Sequence, residues 1–179
     1  MPAAARNPRT ADWAELARAH PGVIDYVPDP VDATAIPPAL AAGRARMVVN
    51  AFHHFPPALA QAILDDAVAG ARGVFIAEAF ERNPLAFLSF APAGALALAA
   101  NPLLAKKDRL AKALLTWATP ITLVAGTFDG LVSTMRIYSE ADLRAMVARH
   151  GARFRWTYGT YRYPFGGKGY YFWGVPTAR

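Results

Sequence analysis

Along this chain, short continuous apolar runs alternate with segments in which apolar residues recur at helical spacing. This succession predicts an α/β order of elements. Val23 to Val27, Arg46 to Ala51 and Gly73 to Ala79 are short apolar runs of strand length. Between the last two runs, apolar residues recur at helical spacing after Pro56-Pro57, which predicts a helix that ends at Gly70. A strand, a helix and a strand within about 35 residues are typical of a parallel βαβ unit. We therefore predict a mostly parallel sheet.

The carboxy-terminal third shows a different pattern. Ser139 and Asp142 occupy capping-box positions and predict a helix that ends before Gly151. From Phe154 to Tyr158 aromatic residues alternate with polar ones, and a second aromatic run extends from Tyr170 to Val175. These runs predict a terminal antiparallel β-hairpin. Their period of two favours a core role over a platform for stacking nucleic-acid bases.

An apolar segment from Asn83 to Thr127 interrupts the alternation of strands and helices. Its first part, Leu85 to Ala105, reaches the roughly 20 apolar residues of a membrane-spanning helix, but Pro92, Gly94 and Pro102 are expected to divide it. We interpret this insertion as buried or substrate-covering helices. Contact with a membrane surface and a true membrane span are the alternatives.

Composition narrows the class of protein. The chain has 179 residues, of which 54% are hydrophobic and 18% charged, so it is more apolar than an average soluble domain and long enough for one domain with a core, residues 1–179. The net charge of +6 comes from scattered basic residues, which gives no reason to expect nucleic acid as a partner. There is no cysteine, and the first ten residues lack the apolar stretch of a secretion signal. We expect a cytoplasmic protein, with contact to a membrane surface as the alternative.

The candidate chemistry begins where the second apolar run ends. Asn50-Ala51-Phe52-His53-His54-Phe55 stands where open α/β sheets bind their ligands. His53 or His54 is a candidate general base, because imidazole titrates near neutral pH. Adjacent side chains at a strand end point to opposite sides, so only one of the two is expected to face a ligand. No further His, Asp or Glu lies three or four positions from His53 or His54, and we therefore predict no metal site.

Glu78 ends the third apolar run, and a buried carboxylate is costly unless it is paired. Arg82, four residues further on, is its expected ion-pair partner. A contact of either side chain with substrate is the alternative interpretation.

The order of these pieces resembles class I S-adenosylmethionine-dependent methyltransferases from their second helix onward. Phe128-Asp129-Gly130 and Arg136 to Ser139 extend the resemblance to a little-characterised bacterial subgroup. It implies a Rossmann-like sheet, S-adenosylmethionine as cofactor and methyl transfer as the reaction. In that family an Asp and a small residue contact adenine, which matches Asp32 and Ala33. The turn beside the methionine part of the cofactor matches Asn50 to Phe55, of which Asn50, Ala51 and Phe52 are the candidates for cofactor contact.

Within that turn His53 and His54 are the catalytic candidates, and Phe55, Glu78 and Arg82 are the residues that we expect towards the substrate. The apolar insertion suggests that the substrate is a hydrophobic small molecule. One departure is large, since only 22 residues precede Val23 and no Gly-rich loop occurs there. We therefore expect an amino-terminally truncated, partial domain whose first strands are missing. The alternative is a non-enzymatic binding domain or a membrane-associated scaffold derived from this fold.

Overall fold

A four-stranded mixed sheet organises the chain. The structure, a computed structural model, describes residues 10–70, 72–105, 107–163 and 167–177. The strands are β1 (Ala45–Val49), β2 (Gly73–Glu78), β3 (Phe154–Arg162) and β4 (Lys168–Pro176), in the order β1-β2-β4-β3. β1 and β2 are parallel, whereas β4 is antiparallel to both β2 and β3. The α/β class is thus confirmed, but the prediction of a mostly parallel sheet is wrong, because the terminal hairpin supplies half of the strands.

Seven α-helices accompany the sheet in the described residues. They are α1 (Thr10–Ala19), α2 (Pro38–Ala41), α3 (Pro57–Gly70), α4 (Pro84–Leu104), α5 (Arg109–Ala113), α6 (Ile121–Arg136) and α7 (Glu140–Val147). α3 connects the two parallel strands, as the spacing of apolar residues predicts. The capping box of α7 is confirmed: Asp142 N donates to Ser139 Oγ over 3.2 Å, and Ser139 N donates to Asp142 Oδ2 over 2.9 Å.

The core lies between one face of the sheet and the helices α3 and α7. Leu64 of α3, Leu143 of α7 and Ile76 of β2 are fully buried in it. The hairpin adds stacked rings, with the centroids of Trp156 and Phe172 5.2 Å apart. The alternating aromatic residues of the hairpin therefore contribute to the core.

The predicted strand from Val23 to Val27 does not form. This segment is a turn followed by chain without regular secondary structure, and the Val23 side chain is 84% exposed. Pro28 and Pro30 lack the backbone N–H that a ladder needs, so the segment is poorly suited to pair with β1. As a result β1 lies at the edge of the sheet and Met47 is 71% exposed, although its apolar run predicts a buried strand.

The insertion folds as helices that pack on one another. α4 is continuous over 21 residues, with Pro92 and Pro102 inside it, so the prediction that these prolines divide the segment is wrong. α4 packs along α6, and Arg109 closes its carboxyl end by donating from Nε and Nη2 to the carbonyls of Pro102 and Leu103 over 3.1 and 2.7 Å. None of the helices in the described ranges combines the length and hydropathy needed to cross a bilayer.

Candidate functional site

Asn50 connects the carboxyl ends of β1 and β2. Its backbone has φ of 50°, a left-handed conformation that Asn adopts more readily than most residues. Its N–H donates to the carbonyl of Ala77 over 2.9 Å, and its Oδ1 accepts from the N–H of Ala79 over 2.7 Å. The turn that follows β1 is thus fixed against the end of β2.

A 3₁₀ helix from Phe52 to His54 comes next and is held by Glu78. Glu78 is 1% exposed, and its Oε1 accepts from the backbone N–H of His53 over 3.1 Å. Its Oε2 lies 2.8 Å from Nδ1 of His53. The buried carboxylate is therefore satisfied by two donors of one residue. When Glu78 is ionised it can only accept, so Nδ1 of His53 is the donor in this contact, and a neutral ring then has its lone pair on Nε2.

The prediction that Glu78 pairs with Arg82 is wrong. Arg82 instead donates from Nε to the carbonyl of Ile137 over 2.7 Å, and its Nη1 lies 3.3 Å from Oδ2 of Asp142. Four residues along the chain would place two side chains together only if the chain were helical there. The segment after β2 is not, so Glu78 and Arg82 diverge.

A cavity of about 420 Å³ opens beside the pair formed by His53 and Glu78. Its lining residues are His53, His54, Phe55, Pro56, Pro57, Arg82, Arg136 and Tyr138. Four predicted site residues, His53, His54, Phe55 and Arg82, are thus brought together, with Glu78 buried behind His53. Below, this cavity is called the His pocket.

Arg136 and Tyr138 are site residues that the sequence did not single out for a role. Both lie at the end of α6, more than 80 positions along the chain from the histidines, so only the packing of α6 against the 3₁₀ helix brings them there. Tyr138 donates its hydroxyl to the carbonyl of Phe55 over 2.6 Å, and burial raises the pKa of Tyr138 above its usual value.

The two histidines do not diverge as expected. They belong to a 3₁₀ helix and not to a strand end, and their ring centroids lie 4.1 Å apart. Their surroundings still differ, because His53 is buried and His54 is exposed. The ring of His53 is oriented by Glu78, whereas the exposed ring of His54 packs beside it.

The residues predicted to hold the cofactor do not line the His pocket. Asp32 accepts from the N–H and hydroxyl of Thr34 over 2.8 and 2.7 Å, and these bonds lower the pKa of its carboxyl. Ala33 packs at the margin of the core, and Phe52 is fully buried in it. The side-chain oxygen of Asn50 is already bonded to Ala79. The carbonyl of Ala51 accepts from the N–H of His54 over 3.1 Å.

Within the described ranges no group of three or more acidic residues or histidines is arranged to hold a metal ion. Comparison with known proteins adds no assignment: no family model, no curated protein and no solved structure matches this chain.

Proposed function

We propose that this chain is a methyltransferase-like domain of the S-adenosylmethionine-dependent type that acts on a hydrophobic small molecule. The observation that carries the proposal is the hydrogen-bonded pair of His53 and Glu78 at the carboxyl ends of β1 and β2. Ligands of open α/β sheets bind at that edge. A parallel pair joined by α3 and followed by an antiparallel hairpin supports the resemblance as well.

The pair is suited to remove a proton from an acceptor. Glu78 holds the Nδ1 hydrogen of His53, so Nε2 is the ring atom that can take a proton from a hydroxyl or amine in the His pocket. The imidazolium that forms is stabilised by the carboxylate, and the acceptor keeps the electron pair of the broken O–H or N–H bond. Positioned proton transfer of this kind contributes about 10²- to 10⁴-fold to rates.

The residues assigned to the cofactor by resemblance are partly engaged within the fold. Thr34 donates twice to Oδ1 of Asp32, which leaves Oδ2 outside those bonds, and the Phe52 ring is buried in the core. In this family a Gly-rich turn approaches the cofactor closely and an acidic residue binds its ribose hydroxyls, and no Gly-x-Gly precedes Asp32 in this sequence. We therefore propose that this chain binds the methyl acceptor. Its own affinity for S-adenosylmethionine is expected to be weak.

The test is calorimetric titration of the chain with S-adenosylmethionine, followed by transfer of a labelled methyl group to a panel of hydrophobic phenols and amines. We expect binding weaker than micromolar, and transfer that is lost in His53→Asn. His20→Asn, which changes an exposed histidine outside the His pocket, is the control. No binding at millimolar cofactor, together with no transfer, would remove the enzymatic proposal.

A second candidate function is a non-enzymatic domain held at a membrane surface. α4 contains no charged residue, and four of its five exposed leucines, Leu85, Leu88, Leu96 and Leu103, follow one side of the helix. Exposed apolar patches of this kind mark interaction sites. Lys107 and Arg109 are exposed just beyond the carboxyl end of α4, where Lys107 Nζ lies 3.4 Å from Asp12 Oδ1 and Arg109 donates to the last carbonyls of the helix. Only the part of their charge that these contacts leave exposed can attract anionic headgroups.

Flotation with vesicles of phosphatidylcholine and phosphatidylglycerol tests this candidate. The chain is expected to float, and Leu96→Glu is expected to remain at the bottom of the gradient. Val23→Glu changes an equally exposed apolar residue outside the insertion and should leave flotation unchanged. Equal flotation of all three proteins would contradict a docking role for α4.

A further inference from the structure

The sheet has a second face whose side chains stay in contact with solvent in the part of the chain that the structure describes. Residues paired across the four strands are either both even-numbered or both odd-numbered, so each face of the sheet carries one parity. The even-numbered face includes Ile76 and Phe172 and forms the core with α3 and α7. The odd-numbered residues of β1 to β4 form the opposite side, called the outer face below. Apart from glycines, none of them is buried.

The outer face is apolar and nearly free of charge. One row across the sheet consists of Met47, Phe75, Trp173 and Thr157. Arg155 is the only charged residue among the odd-numbered positions of the four strands. Parallel strands such as β1 and β2 are usually covered on both faces, and exposed apolar patches mark interaction sites. The outer face is therefore a candidate interface.

Two tyrosine rings make the outer face flat. A Cβ atom at Gly159 would collide with the ring of Tyr171, and one at Gly169 would collide with the ring of Tyr161. The rings thus lie across the backbone of the neighbouring strand and do not stand up from it. The hydroxyl of Tyr161 donates to the carbonyl of Glu78 over 3.0 Å, which holds its ring in that position. A flat partner, such as another sheet, fits this surface.

The size of the outer face is that of a small dimer interface. β3 and β4 are nine residues long, β2 is six and β1 is five. At about 3.3 Å per residue and about 4.8 Å between strands, the face projects to about 450 Å². Two such faces in contact cover about 900 Å² in projection, and side chains that rise from the sheet bring the buried accessible surface to about 1,000 Å² or more, the minimum for a specific interface.

We propose that the outer face binds the outer face of a second copy of this chain in a two-fold symmetric dimer. Stacked sheets pack about 10 Å apart with their strands nearly aligned. A two-fold axis along the strands places β1 of one copy, with Met47 and Val49, over β3 of its partner. The two copies of Arg155 then lie at opposite margins, about 14 Å apart across the sheet, which exceeds the screening length of about 8 Å. An identical face therefore meets no opposed charge.

Sedimentation equilibrium of the full chain tests the proposal. We expect a monomer–dimer equilibrium in the micromolar range, because the interface is small and a two-fold contact closes at two copies. A monomer at every concentration up to the solubility limit would overturn the proposal. Larger species that form without a dimer would overturn it as well.

A matched pair of variants on β3 separates the two faces. Thr157→Arg adds a charge to the outer face, whereas Thr160→Arg adds the same charge to the same strand on the other face. Thr157→Arg should raise the dissociation constant of the dimer about tenfold or more, since the two-fold axis buries the charge twice. Thr160→Arg should leave it unchanged. Equal effects of the two variants would indicate pairing along the free edge of β3 and would overturn the proposal.

A second pair covers the case in which Thr157→Arg does not fold. Met47→Lys changes an outer-face residue that is 71% exposed, and Met135→Lys, at a 53% exposed position on α6, is its control. Met47→Lys should weaken the dimer and Met135→Lys should not. β1 and β3 are the outermost strands, so pairing along a single strand edge would respond to Met47→Lys or to Thr157→Arg but not to both. A dimer that Met47→Lys leaves intact would overturn the proposal.

A single thiol reports directly on the covered surface, since the chain has no cysteine. Ala77→Cys places it on the outer face in β2, and its reaction with a maleimide should slow as the dimer forms, because access limits thiol reactivity. Ala58→Cys, exposed on α3, should react at the same rate throughout. A rate for Ala77→Cys that stays constant while the dimer forms would overturn the outer face as the interface.

Discussion

Nδ1 of His53 lies 2.8 Å from Oε2 of Glu78, and the same carboxylate also accepts the backbone N–H of His53. One side chain at the end of β2 thus fixes both the backbone and the ring of a residue that follows β1. The pair links the stability of the turn after β1 to the orientation of the candidate base.

Replacing Glu78 by alanine should destabilise the fold strongly. The change leaves two buried donors of His53 without acceptors, and each hydrogen bond to a charged group contributes about 1.5–3 kcal/mol. We expect the free energy of unfolding, measured with urea, to fall by about 3 kcal/mol or more. Glu81→Ala removes a more exposed carboxylate, 2.8 Å from Lys168 Nζ, and should cost less than about 1 kcal/mol. Equal losses would show that the buried pair has no special role in stability.

The tautomer of His53 is open to direct measurement. Because Oε2 of Glu78 accepts from Nδ1, the neutral ring should be protonated at Nδ1. Long-range ¹H–¹⁵N correlation spectra of the histidine rings, recorded at a pH where they are neutral, distinguish the two tautomers. Glu78→Gln should add the other tautomer for His53 and leave the spectrum of exposed His20 unchanged. A neutral ring protonated at Nε2 in the unmodified chain would remove Nε2 as the candidate base.

The capping box of α7 should make stability depend on pH. Hydrogen bonds from the backbone N–H and side chain of Ser139 lower the pKa of Asp142 in the folded chain. A lowered folded pKa gives stability that is present above the unfolded value of about 3.9 and is lost as pH falls through the folded value. Asp142→Asn should therefore cost about 1 kcal/mol near neutral pH, a figure that solvent screening reduces at this half-exposed position. Urea unfolding at neutral and strongly acidic pH should show the difference between the two proteins shrinking; a constant difference would contradict this origin.

Packing between α4 and α6 gives a fourth expectation. In Gly130→Ala the added Cβ would lie 2.6 Å from Phe87 Cζ, and overpacking of this kind costs about 1–3 kcal/mol. For a chain of this size the melting temperature should fall by about 2–4 °C for each kcal/mol. Gly151→Ala meets only ordinary contacts, the nearest at 3.5 Å, and should be neutral or slightly stabilising. Similar melting temperatures for both variants would show that Phe87 of α4 moves to accommodate the added methyl group.

Local patterns in the sequence predict the elements whose signals are local. The period of α3, the capping box of α7 and the alternation in the hairpin each depend on neighbours within a few residues, and all three form as predicted. The strand at Val23 to Val27 fails because a strand needs a distant partner, and its sequence does not reveal whether one is available. Pro92 and Pro102 stay inside α4 because contact with α6 outweighs the helix preference of single residues.

The candidate site is likewise predictable only where local patterns in the sequence identify its residues. Polar residues at strand ends identify His53, His54 and Glu78, because every parallel strand delivers its carboxyl end to one edge. Their pairing was not predictable, since it depends on the 3₁₀ turn after Asn50 and on the direction of the chain after Glu78. Arg136 comes from a helix whose position no periodicity specifies. The roles of His53, His54, Phe55 and Arg82 towards a substrate remain predictions.

The position of β1 has a consequence for handling the protein. In the described ranges β1 has only β2 as a neighbour, so its outer row of backbone donors and acceptors is free, and Met47 and Val49 stand exposed beside it. Such an edge can serve as a template for strands of other copies. Self-association should therefore set the upper limit of usable concentration, and a charged residue in place of Met47 would raise it. Any ligand measurement on this chain is best made in dilute solution, where the edge meets water instead of another molecule.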